Sequence, residues 1–252
     1  MDQCDIVVDV GAIYDHDKKR YDHHQQGRAG QRENTVYYSG LGLVWKHYGL
    51  DWCGGDQEVY EFMDKELVEF VDAEDNGQDV YELTELKVAP VTIADIVTWY
   101  RPTYGEDQDF DGRFMKAVDM ATDVLEQLHR RAVGSVKAAK QVQAIYDASP
   151  DKRYIIMDEF IPLGDFPEHN PELLFTVYPD PSGRWAIKTI RKEQHSFANR
   201  KDLPASWGGL RADELAEVTG IPDALFCHNA LFVASAVSKE SALKMLELAL
   251  AD

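Results

Sequence analysis

Asp22-His23-His24 places one carboxylate and two imidazoles on consecutive residues, downstream of a second carboxylate, Asp9, in the apolar run Ile6-Val7-Val8-Asp9-Val10. A third acidic cluster follows, Asp72-Ala73-Glu74-Asp75-Asn76-Gly77. Carboxylate and imidazole together suit Mn²⁺ or another hard-to-borderline divalent ion, and no thiolate takes part in the pattern. An ion held this way makes bound water more acidic and offsets charge on anionic oxygens, which is the chemistry of metal-assisted hydrolysis. Read from the residues alone, Asp9 is as good a helix cap as a ligand. Asp22 either holds a ligand imidazole in its correct tautomer or stabilises a turn. In the third cluster Asp75 is the metal candidate, with Asp72 a neighbour or a helix-capping residue.

These side chains need elements to hold them. The run 6–10 reads as a strand buried on both faces and ended by Gly11. An Asp at the carboxyl end of such a strand points into the crevice where open α/β sheets bind ligands. Residues 35–48 read as a helix packed by Leu41, Val44 and Trp45, in which Gly40 and Gly42 either weaken the helix or mark close packing. Residues 56–72 repeat Val59, Met63, Leu67 and Phe70 at helical spacing, and Gly77 can take the left-handed conformation beyond them. Asp75 then sits at a helix end. Residues 79–112 are loop-rich, and 114–146 carry the longest helical pattern, a connector between lobes. Turn-forming residues 147–151 mark the boundary between a metal-binding lobe with its connector helix, 1–147, and a smaller α+β substrate-binding lobe, 152–252. In the second lobe 154–157 is strand-like, and 174–178 and 185–190 form an antiparallel pair. A short helix at 210–219, a strand at 224–227 and a final helix capped by Ser238 complete it.

The formal net charge of −19 argues against a broad basic surface for nucleic acid. It leaves room for a cleft where a bound ion and a few cations reverse the local sign, and it also fits adaptation to salt. No run of eighteen apolar residues occurs. Three cysteines without metal-ligand spacing fit a reducing, cytoplasmic setting. His47, late in its helix, reads as a charge partner for the helix end. Asp15-His16-Asp17 reads as a solvated loop, and His129, His169 and His195 as surface or loop residues.

Several blocks together carry a resemblance. They are Cys4 to Gly11, Arg20-Tyr21-Asp22-His23-His24-Gln25, Ser39 to Gly49, Val71 to Gly77 and Ser196-Phe197-Ala198-Asn199-Arg200. Further matches are Trp207-Gly208-Gly209-Leu210-Arg211, Gly220-Ile221-Pro222 and Phe226-Cys227-His228-Asn229. In this order they resemble the Myg-type (melanocyte-proliferating-gene) exonucleases of the DHH phosphoesterase superfamily. The family opens with a further His- and Asp-bearing block before the segment matching Cys4-Asp5, and the sequence begins at Met1 without it. Truncation is therefore expected, with a half-complete metal site that binds at most one ion tightly. The resemblance implies an α/β fold with a DHH-type parallel-sheet lobe and a Mn²⁺- or Mg²⁺-dependent 3′→5′ exonuclease acting on single-stranded RNA or short oligonucleotides. It implies Asp9, His23 and Asp75 as metal ligands, Asp22 and His24 as catalytic residues, and Arg200, Arg211, His228 and Asn229 as substrate contacts. Arg191 is a weaker candidate for phosphate. A non-catalytic nucleic-acid-binding protein, or a hydrolase of a small phosphate compound, are the alternative readings.

Overall fold

In a computed structural model, which describes residues 4–193 and 196–252, the apolar run around Asp9 yields a strand of two residues, β1 (Val7–Val8). It pairs in parallel with β3 (Arg20–Tyr21), which pairs antiparallel with β2 (Tyr14–Asp15). The sheet, in order β1-β3-β2, is therefore mixed, not the parallel sheet expected. The cause is local: Lys19 donates its N–H to the His16 carbonyl at 2.9 Å, and this tight turn folds β2 directly back on β3. Burial also corrects the expectation of a strand covered on both faces. Val7 is buried, whereas Ile6, Val8 and Val10 are 51%, 43% and 53% exposed, so only one face of this edge strand packs. His195 lies outside the described residues.

Helix α1 (Gly40–Trp52) begins at Ser39, whose Oγ accepts from Gly42 N–H, and not at Thr35, which has φ of +71°. Its glycines are there for close approach. A Cβ on Gly40 would stand 3.2 Å from the Asp9 carboxylate, and one on Gly42 would stand 2.1 Å from that of Asp72. The helical pattern at 56–72 becomes α2 (Gln57–Met63), a single π-helical turn (Asp64–Val68) and α3 (Glu69–Asp75). Asp56 caps the run by accepting from the Glu58 and Val59 N–H groups. Gly77, at φ +66°, and the bond from Gln78 N–H to the Ala73 carbonyl close it. Val59, Met63, Val68 and Ala73 form its buried stripe. Within the stretch expected to be loop lies a short helix, α4 (Ile93–Thr98), whose Thr92 and Asp95 form a capping box. Helix α5 (Phe110–Ala148) extends the expected connector at both ends.

The chain divides into two compact units, Met1–Gly134 and Ser135–Asp252. The division falls inside α5. In the second unit β4 (Tyr154–Ile156), β5 (Phe175–Pro179), β6 (Trp185–Thr189), β7 (Ala224–Cys227) and β8 (Val233–Ala236) form a sheet of order β4-β5-β6-β8-β7. Only the β4/β5 pair is parallel. Phe175, Val177, Ile187 and Ala234 on one face pack with Leu215 of α7 (Ala212–Thr219) and Met245 of α8 (Lys239–Ala251). Each large side chain so buried contributes about 1.5–3 kcal/mol. Ile155, Met157 and Ile190 join Val142 and Tyr146 of α5 and Phe166 of α6 (Phe166–His169) in a second cluster. No described helix is long and apolar enough to cross a membrane.

Candidate metal centre

Three segments of the first unit converge on one imidazole nitrogen. Asp9 follows β1, its N–H bonded to the Tyr21 carbonyl at 3.0 Å, and its φ of +60° turns the chain out of the ladder. His23 lies two residues past β3, with its side chain buried. Asp75 is the last residue of α3. His23 Nε2 stands 3.3 Å from Asp9 Oδ1 and 3.1 Å from Asp75 Oδ2, yet it makes no hydrogen bond.

The reason lies on the other side of the ring. His23 Nδ1 is 3.2 Å from Asn76 Oδ1. The Asn76 amide nitrogen donates to the Tyr37 and Asp72 carbonyls at 3.1 and 2.9 Å, which assigns its oxygen to His23. An amide oxygen only accepts, so Nδ1 carries a hydrogen, and in the neutral ring the lone pair of Nε2 faces the two carboxylates. Three acceptors pointing at one another repel unless a proton or a metal ion lies among them. The residues therefore fit a divalent ion with mixed nitrogen and oxygen ligands. One donor atom from each of Asp9, Asp22, His23 and His24 also lies within 4.8 Å of the others.

Asp22 is buried and already saturated. Its Oδ2 accepts from Ala12 N–H at 2.5 Å, and its Oδ1 meets His24 N–H at 3.0 Å and His24 Nδ1 at 2.7 Å. Burial pushes this carboxyl up, but the hydrogen bonds from His24 and Ala12 outweigh it and hold the group at about 2. Asp22 thus orients His24. In turn the hydrogen bond to Asp22 raises the pKa of the exposed His24 ring, and the Asp9 and Asp75 charges act in the same direction. Burial raises the Asp75 pKa, and the Asp9 charge adds to the rise.

Asp72 is committed elsewhere. Fully buried, it accepts from Ser39 N–H and Oγ at 2.9 and 2.6 Å, and from Arg32 Nε and a terminal nitrogen at 3.0 and 2.8 Å. Arg32 also reaches Asp64 in the π-helical turn, so one guanidinium ties the start of that turn to α3. Asn76, Arg28 and Arg32 were not singled out from sequence. Arg28 donates to the same Asn76 oxygen at 2.5 Å and lies 4.2 Å from the centre of the Tyr37 ring. Asn76, within the acidic cluster, carried the only signal, because an Asn before Gly at a helix end has a side chain free to turn inward.

Two histidine readings change. His16 is not simply part of a solvated loop: its ring stacks on His47 at 3.7 Å and meets the Tyr21 hydroxyl at 2.8 Å. His47 bonds the Tyr14 hydroxyl at 2.8 Å, and burial, with His16 beside it, pushes its pKa down. That is the opposite of a charged partner for a helix end.

Residues 1–250 match the family model described as "Uncharacterised protein family (UPF0160)", that of MYG1 exonuclease. The chain belongs to the MYG1 exonuclease family. It is 31% identical to human MYG1 exonuclease over 284 residues, covering 99% of this chain and 75% of the human one. A MYG1 protein of Saccharomyces cerevisiae is 31% identical over 98% of this chain and 83% of its own, and one of Chlamydia pneumoniae is 30% identical over 100% and 83%. No solved structure matches.

The other residues expected to serve this MYG1-family chain lie in the second unit. Arg200 is committed to backbone: it donates to the Asn170 and Leu173 carbonyls at 2.7 and 3.0 Å and to that of Pro167 at 2.5 Å. These bonds make it a brace for the 167–173 segment, at a residue expected from sequence to clamp phosphate. Arg211 is exposed and begins α7. Its backbone bridges Phe226, two residues before His228. His228 Nδ1 accepts from Ala230 N–H at 3.0 Å, which leaves Nε2 as the donor. Exposed Asn229 comes within 3.5 Å of where a Cβ on Gly209 would stand, and Gly209, at φ +79°, has none. The structure thus brings Arg211, His228 and Asn229 into neighbouring loops. His169 is exposed, 3.7 Å from Asp165, while His129 packs edge-on against Trp52 at 5.0 Å.

Proposed function

We propose that this chain is a divalent-metal-dependent phosphodiesterase that removes nucleotides stepwise from the 3′ end of single-stranded RNA. Asp9, His23 and Asp75 hold the ion, Mn²⁺ or Mg²⁺. The observation that carries the reading is the buried His23 Nε2, 3.1–3.3 Å from two carboxylates and bonded to neither. Family membership supports it, since the relatives named above include a MYG1 exonuclease. When bound, such an ion supplies an acidic water and positive charge for the phosphoryl oxygens.

The chain's own residues do the rest. Asn76 fixes the His23 tautomer. Asp22, ionised and saturated, keeps the His24 ring in place and favours its protonated form, a donor for an anionic oxygen beside Asp9. Arg211, His228 and Asn229 are the substrate contacts of the second unit. With a net charge of −19, capture of a polyanion depends on such local donors and on the ion.

The test is single-turnover degradation of end-labelled RNA, DNA and a dinucleotide with saturating Mn²⁺. The expected result is stepwise shortening of RNA from the 3′ end, abolished in His23→Ala. Turnover that survives His23→Ala would remove the triplet from the active site. Hydrolysis of the dinucleotide alone would reassign the substrate.

A further inference from the structure

The second unit contains a cleft of about 350 Å³ on the face of β5 and β6 opposite Phe175, Val177 and Ile187. Strand alternation puts Thr176, Tyr178, Lys188 and Ile190 on this face. The floor is apolar, from Met157, Ile161 and Ile190. One wall is aromatic: the Phe160 and Tyr178 rings lie 5.1 Å apart, and Phe160 is 58% exposed. The rim is cationic. Lys188, Arg191 and Lys192 are exposed and form no ion pair among the described residues, and they outnumber Glu168 and Glu193 on the same cleft. In a chain of net charge −19 this is a local reversal of sign. Arg191 lies 5.3 Å from the centre of the Phe197 ring, itself 90% exposed, so a second aromatic plane borders the same charge.

An exposed ring over an apolar floor receives a planar aromatic group, and unpaired guanidinium and ammonium groups receive an anion. The size is that of a small-molecule site at the lower end of the usual range, about 300–1,000 Å³. We propose that this cleft binds a nucleoside monophosphate, its base against Phe160 and Tyr178 and its phosphate on Arg191 and Lys192. The chemistry of the cleft carries this assignment, and it is independent of the metal centre. In a nuclease the ligand would be the released product.

Calorimetric titration of the full chain in EDTA, which removes metal-bridged phosphate binding, tests it with AMP, adenosine and inorganic phosphate. AMP should bind at least tenfold more tightly than adenosine or phosphate. Phe160→Ala and Arg191→Glu, both at exposed positions, should each weaken AMP binding tenfold or more with unchanged circular dichroism. His23→Ala should change it less than twofold. The proposal is overturned if AMP shows no binding at millimolar concentration or binds no better than phosphate. It is equally overturned if both second-unit variants bind as wild type, or if His23→Ala alone abolishes binding. Nuclease activity surviving His23→Ala would sink the metal-centre reading and leave this one standing.

Discussion

His23 can offer its inner nitrogen to a metal only because Asn76 takes the outer one. Asn76→Leu keeps the bulk but removes the acceptor shared by His23 and Arg28. Loss of a group that orients a metal-bound histidine typically costs about 10–100-fold in affinity. Calorimetry should therefore show weaker Mn²⁺ binding by that factor in Asn76→Leu and substantial recovery in Asn76→Asp, which restores an acceptor. In wild type the titration should saturate at one ion per chain, since the three donors meet at a single point; two tight sites would refute that. Asp22 allows a pH prediction. Its folded pKa of about 2 lies below the ordinary 3.8, so its stabilising effect is complete above about pH 4 and is lost as pH falls toward 2. The melting-temperature advantage of wild type over Asp22→Asn, measured in EDTA, should be greatest near about pH 5, where the partner His24 is protonated as well, and shrink below about 4. A gap that widens as pH falls from about 4 toward 2 would contradict the sign.

At the scale of elements, the helix run 57–75 is joined to α1 through a buried charge. Asp72 receives Ser39 and Arg32, and Arg32 also holds Asp64 across the π-helical turn. Removing one partner of a buried ion pair leaves the other uncompensated, at about 3–5 kcal/mol. Arg32→Ala should lower unfolding free energy by that amount in a denaturant titration, while Arg32→Lys recovers only part because it cannot serve both carboxylates in the same forked geometry. Gly42→Ala tests the same contact from the opposite side. Its Cβ would fall 2.1 Å from an oxygen of the Asp72 carboxylate, which four hydrogen bonds hold in place. Overpacking of this kind costs about 1–3 kcal/mol. A Gly42→Ala protein as stable as wild type would show that α1 can slide away from α3.

For the whole molecule, 45 acidic residues against 26 Lys and Arg make self-repulsion the dominant long-range term. Screening it should raise the melting temperature between about 0.05 and about 0.5 M NaCl, beyond which the Debye length is too short for much further gain. Scanning calorimetry across that series checks it; a flat or falling profile would mean that local ion pairs, such as those of Arg32, outweigh the global repulsion.

Much of this was legible in sequence because it depends on neighbours along the chain. The helix expected at 56–72 follows from apolar spacing and the final helix from Ser238 as its cap, and the β5/β6 hairpin follows from alternation around a Pro-Asp-Pro-Ser-Gly turn. The grouping of Asp9 with the Asp22-His23-His24 triplet was equally legible, since a strand end and the segment beside it place them together. Only tertiary structure separated Asp75 from Asp72. The two differ by one helical turn, and which carboxylate meets His23 depends on where Arg32 and Ser39 arrive from distant positions. The same holds for Arg200. Its block reads as a clamp, but whether a guanidinium is free depends on which carbonyls the 167–173 segment turns toward it. Sequence determined which donors this protein has and roughly which elements carry them. The tertiary structure decided which lone pairs stay open, because that depends on every competing partner within about 3 Å, and most of those are far away along the chain.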